Sequence, residues 1–318
     1  MSPRNDSAVT DFLILGFSDL PGLRVPLFLL FLLVYLFTLA GNLLILAAIC
    51  TDSHLHTPMY FFLCNLSVLD ICYLSVTIPK LLTISLTGSK NISFSGCMAQ
   101  LYFFMSFASV EYFVLAAMAY DRYAAICNPL RYSLVMGKRI CVMMATAAWL
   151  VGFLDSVVIL FFISRLDFCD SNEIDHFFCD VAPLLLLSCS DTRSIQLVIF
   201  IEGAMVIIGS FLLTLASYVH IISAIFRIHS AEGRRKAFST CTSHITTVTV
   251  FYSSIICAYM RPSGAYSLEL SKLLAMLYTA MIPMLNPIIY SMRNKDVKGA
   301  FRKIRAQSIA NCRTSPKH

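Results

Sequence analysis

Two carboxyls, Asp70 and Glu111, lie deep in apolar stretches of this 318-residue chain. An ionisable group deep in an apolar run is costly to place and is a functional candidate on that ground alone. Asp70 and Glu111 can act as oxygen ligands of a small cation or as two acids sharing one proton. A hydrogen-bonded network without an ion is the plainer alternative. Asn42 and Asn286 are the polar neighbours expected at comparable depth. Asp121 and Arg122, in "MAYDRYAAICNPLRY" (118–132), offer different chemistry. Adjacent opposite charges at the end of an apolar run either anchor a helix at a membrane boundary or form a pair that can be separated. In "PMLNPIIYSMRN" (283–294), Pro287 has no N–H for a helix ladder and is expected to kink or break it. Asn286 and Tyr290 stand beside that weak point, able to bond a freed carbonyl or water. No hydrolase or phosphate-binding motif is present, so the chain reads as a non-enzyme.

The elements that must position these groups follow from composition. The chain is 58% hydrophobic and 13% charged, where soluble domains carry about 25% charged residues. A span needs about 20 mostly apolar residues. Seven such runs occur, at roughly 26–50, 58–80, 97–121, 140–163, 196–226, 237–260 and 270–291. Seven spans put the termini on opposite faces. The carboxyl-terminal side collects 16 Lys and Arg, the amino-terminal side 8, so the amino terminus (residues 1–25) is expected outside. The net charge of +6 is then a cytoplasmic-face property and calls for no nucleic acid.

Of 12 cysteines, Cys97, Cys169, Cys179 and Cys189 fall in external segments, which suggests two bridges with three possible pairings. Sequons at Asn5 and Asn91 lie outside and are candidate glycosylation sites, whereas Asn65 lies within a span. The loop 164–195 carries six acids and three of those cysteines, as an ordered lid would. After the seventh span, Val297, Ala300, Phe301 and Ile304 recur among basic residues, the spacing of a short amphipathic helix on the cytoplasmic leaflet. Residues 292–318 form that helix and tail.

These features together resemble the olfactory receptor family of rhodopsin-like (class A) G-protein-coupled receptors. The resemblance rests on "LHTPMYFFLCNLSVLDICY" (55–73), "MAYDRYAAICNPLRY", Ser217–Tyr218, "KAFSTCTSH" (236–244) and "PMLNPIIYSMRN", in order and over nearly the whole chain. "HFFCD" and "LSCSD" in the long loop are similar to the tetrapod-type (class II) branch.

The resemblance implies an all-α membrane protein: a seven-transmembrane helix bundle with a short amphipathic cytoplasmic helix. It pairs Cys97 with Cys179 and Cys169 with Cys189. It makes Asp70 and Glu111 a sodium-binding core, with no other cofactor. It assigns Asp121, Arg122, Tyr123, Tyr218, Asn286, Pro287 and Tyr290 to activation and G-protein contact, with His244 an inactive-state partner. The expected partners are a small-molecule odorant, a stimulatory olfactory-type G protein and membrane lipid. The implied location is the plasma membrane, in cilia of olfactory neurons. Phe104, Met105, Ala108 and Ser109 share one face of the third span, which the resemblance turns inward. Glu202 and Val206, Tyr252, Ile255 and Tyr259, and Met276 and Thr279 complete a mostly apolar pocket in the external half. Glu202 departs from the apolar or small residue expected there, and Ser253 stands where glycine is often found. A same-fold receptor for a non-odorant ligand remains an alternative. A channel or transporter would need a continuous polar stripe, yet the buried acids cluster at Asp70 and Glu111.

Overall fold

The computed structural model describes residues 10–17, 21–169, 172–259, 268–293 and 297–303. Each apolar run lies on a long helix: α1 Arg24–Thr51, α2 Pro58–Thr87, α3 Phe94–Cys127, α4 Lys138–Ile163, α5 Arg193–Phe226 and α6 Ala231–Tyr259. The seventh, α7, joins Leu268–Met276, a π-helical turn Leu277–Met281, and Ile282–Arg293. The helices overrun the apolar stretches, because hydropathy marks the hydrocarbon thickness while a helix continues to its cap. In α2 that cap is Gly88, at φ 75°, whose N–H returns to the Ile84 carbonyl.

Among the described residues six helices are long and apolar enough to cross a membrane; α6 is not one of them. Its apolar character is diluted by Ser and Thr. Thr242, Thr246, Ser253 and Ser254 return their hydroxyls to carbonyls one turn back, which makes them tolerable in a span. Packing centres on α3, which touches α2, α4, α5 and α6. The approach of α4 is close: a Cβ on Gly152 would fall 2.6 Å from Val110 Cγ2.

Two points need correction. Short strands, not anticipated from the sequence, sit on the external side of the all-α bundle. β1 (Asp11–Ile14) pairs antiparallel with β2 (Asn91–Ser93) and parallel with β3 (Glu173–Ile174). Phe12 and Ile14 alternate inward and are fully buried, with Phe12 edge-on to Phe168 at 5.1 Å. Such short strands give no periodicity to read, and they turn the amino-terminal segment into part of the lid.

The second correction concerns Pro287. The helix continues through it, and the irregular turn lies earlier, at Leu277–Met281. Proline at 287 leaves the Pro283 carbonyl without its ladder donor, and Asn42 Nδ2 of α1 supplies one at 3.3 Å. Helix 297–303 is present, but Val297 and Ala300 pack into the bundle core rather than onto lipid, and Lys303 pairs with Asp52 at 2.7 Å. Ile304 lies outside the described residues.

Candidate functional site

At the cytoplasmic end of α3, Asp121 is fully buried. Arg122 closes on its Oδ2 through Nη2 at 2.5 Å and Nε at 3.0 Å. The other oxygen, Oδ1, accepts the Tyr132 hydroxyl at 2.8 Å. Tyr132 belongs to the helical turn Tyr132–Val135 between α3 and α4 and did not figure among the sequence candidates. Across the gap, Tyr218 of α5 and His244 of α6 share a hydrogen bond at 2.5 Å, both buried. The partner that His244 bonds is thus Tyr218. Tyr123 faces α5, its ring 5.7 Å from that of His220. Tyr290 of α7 is buried beside Thr247 of α6. Tyr218 and His244 thus join α5 to α6 near Arg122, whose own bonds stay on α3.

Midway through the bundle, Asn286 Nδ2 donates to both oxygens of Asp70 at 3.1 Å. Glu111 is the neighbouring acid, also buried. Glu111 Oε1, Asn286 Oδ1 and Asn42 Oδ1 are buried without a hydrogen-bond partner. Among the described residues no group of three His, Cys, Asp or Glu gathers as a metal cluster. The donors here are two carboxyls and amide oxygens. Asn65 accepts from Trp149 Nε1 at 3.0 Å and is committed to packing, as its place in a span implied.

The external half holds acids beyond the Asp70–Glu111 pair. Asp155 of α4, absent from the sequence candidates, accepts the Ser109 hydroxyl at 2.8 Å and neighbours Glu202 of α5. The expected pocket residues divide around it. Met105, Ala108, Val206, Ile255 and Met276 pack into the apolar core, while Thr279 bonds its own helix at Ala275. Tyr252 donates to Ser210 at 2.9 Å. Phe104 meets the rings of Tyr73, Phe178 and Tyr278 in tilted contacts, which places it under the lid. The Tyr259 side chain and Asn5 lie outside the described residues; Asn91 is exposed on β2.

Over this region lies the long loop, held by Cys97–Cys179 and Cys169–Cys189, with Cα separations of 5.5 and 6.0 Å. Both are the pairings that the resemblance implied. Gln100 of α3 fixes the first bridge, accepting from Cys179 N at 2.9 Å and donating to the Val76 carbonyl at 2.8 Å. Buried Lys272 of α7 pairs with Asp175. Burial pushes the neighbouring His176 imidazole down to about 3, aided by the Lys272 ammonium, and both its ring nitrogens lack partners. Burial pushes Asp180 up to about 6, opposed by the Val181 N–H that it accepts.

Comparison with known proteins identifies this architecture. The crystal structure of squid rhodopsin superposes with a TM-score of 0.72 at 19% identity, covering 89% of this chain and 80% of the other. That likeness shows the fold. A family model described as "Olfactory receptor" matches residues 31–308. Human "Olfactory receptor 5B21" is 50% identical over 300 residues, 94% of this chain and 97% of the relative. Rat "Olfactory receptor 1f45" is 49% identical over 306 residues, 96% and 98% of the two chains. With the seven-helix bundle, both bridges and these full-length similarities in hand, the chain belongs to the olfactory receptor family and is a multi-pass membrane protein.

Proposed function

We propose that this protein is an odorant receptor that binds small, mostly hydrophobic molecules in the external half of the bundle and activates a stimulatory heterotrimeric G protein, raising cAMP. It works in the plasma membrane, in cilia of olfactory neurons, with its amino terminus outside. The observation that carries the reading is the closed cytoplasmic latch, Arg122 on Asp121 with Tyr132 behind it and Tyr218 on His244. Opening requires α6 to leave α3 and α5, freeing Arg122 for a G-protein helix. A ligand drives this only by its differential affinity for the open arrangement.

The test is a chemically broad odorant panel on cells expressing the chain, with and without the stimulatory G protein. Agonist-driven cAMP that requires the G protein is the expected result. Ligand-driven current that persists without it would overturn the reading in favour of a channel.

Sodium fits the core as an allosteric ligand, because Glu111 Oε1 and Asn286 Oδ1 are buried without partners among the described residues and both residues neighbour Asp70. Asp70 and Glu111 would hold the ion and supply its countercharge, stabilising the closed latch. Asp70→Asn should abolish the sodium sensitivity of activation; unaltered sensitivity removes the ion from the account.

A further inference from the structure

We infer that Asp155, Glu202 and Ser109 form a recognition site for a protonated primary amine. This deepens the receptor reading by naming a ligand class for the external-half pocket, and it rests on that reading for signalling but not for binding.

Three helices meet at the site. Asp155 lies eight residues before the external end of α4 and Glu202 nine residues after the external start of α5. At about 1.5 Å per residue both lie some 12–14 Å in from the helix ends, at matched depth. Ser109 of α3 fixes the orientation of Asp155 by donating to Oδ2 at 2.8 Å. The Asp155 and Glu202 carboxyls are neighbours across the α4–α5 contact.

Two observations separate this from a structural pair. Both Glu202 oxygens are sealed from water and, among the described residues, accept no hydrogen bond. The ion pairs among the described residues join Arg122 to Asp121, Lys272 to Asp175 and Lys303 to Asp52, so none supplies a cation to either acid. Two facing carboxyls in an apolar interior repel when both ionise. What the site lacks is a compact cation with several N–H donors.

A primary ammonium supplies this. It can donate to Glu202 and Asp155 together while its apolar tail runs along Val206, one turn further down α5. A neutral alcohol of the same skeleton offers one donor and no charge. Removing one partner of a buried charge-assisted pair leaves the other uncompensated.

The experiment uses the full chain in lipid nanodiscs, with hexylamine and benzylamine as probes and hexanol and benzyl alcohol as matched controls, read by ligand-induced shift in Tm. The amines should raise Tm and the alcohols should not. Glu202→Gln and Asp155→Asn should each weaken amine binding by about thirtyfold or more. Equal binding of alcohols, amine affinity retained in both variants, or no amine shift at all overturns the inference. Should a variant fail to fold, competition on the native chain decides: benzylamine must displace hexylamine, and displacement by benzyl alcohol overturns it. A Glu202-dependent amine shift with no G-protein response supports this site and removes the receptor reading. G-protein activation by neutral odorants without amine binding does the reverse.

Discussion

Asp121 is held by two bonds that its sequence neighbour makes and one that it does not. Arg122 is adjacent, so the charged pair was legible as a motif. The Tyr132 hydroxyl arrives across a turn and completes the cage around a fully buried carboxylate. Removing it leaves Asp121 Oδ1 without a donor, at about 1–3 kcal/mol for a buried acceptor. That cost falls on the closed latch, so Tyr132→Phe should raise basal cAMP at equal surface expression. A baseline indistinguishable from the native chain would count against the cage. Asp155 shows why other site residues stayed hidden. A single acid in a long apolar run names no partner, and its bond to Ser109 spans 46 residues. Long-range pairing is a property of the packed bundle. Motifs disclosed the switch, where the chemistry is local, and missed half of the external acid pair, where it is not.

Helices were the legible elements, because a span must be about 20 apolar residues long whatever else it does. Their irregularities were less legible, since these depend on what a neighbour offers. Pro287 was expected to kink or break α7; the helix is not broken there, and Asn42 of α1 supplies the donor that the Pro283 carbonyl lost. Gly41 makes this contact possible: a Cβ there would lie 2.9 Å from Pro287 Cβ. The pair therefore acts as a joint between α1 and α7, and it can be tested from either side. Asn42→Leu should lower stability by roughly 1–3 kcal/mol through the orphaned carbonyl, read as a drop in Tm in nanodiscs. Gly41→Val should be at least as harmful, because proline ring atoms and the helix backbone have little room to shift. A tolerated Gly41→Val would mean that α1 does not depend on this joint. The external sheet escaped reading for a related reason. Strands of two to four residues carry no usable period, and Phe12 and Ile14 are inward-facing only because β2 and β3 lie beside them.

At the scale of the whole molecule, the lid couples the amino-terminal strand, the long loop, α3 and α7, and its pH response exposes that coupling. His176, with an ordinary value of 6.5, is pushed down to about 3 by burial, so on acidification the unfolded loop binds a proton before the folded one. Its contribution to stability is complete above pH 6.5 and is lost as pH falls toward 3. Asp180 works in the opposite sense. Burial raises it from 3.8 to about 6, so the folded loop takes the proton first, and its contribution is present at low pH and lost as pH rises through about 6. Between about pH 7.5 and 5.5 the two effects are each roughly 1 kcal/mol and oppose one another. The native chain should therefore show only a slight fall in Tm over that interval. Asp180→Asn keeps the oxygen that caps Val181 but removes the compensating titration, so its Tm should fall clearly on acidification. His176→Phe fills the same aromatic slot against Phe177 and Phe178 and should instead gain stability as pH drops. Because the loop is bridged to α3 at Cys97 and paired to α7 at Lys272, these shifts should appear in the unfolding of the whole bundle. Identical pH profiles for the native chain and both variants would show that the lid opens independently of the helices beneath it.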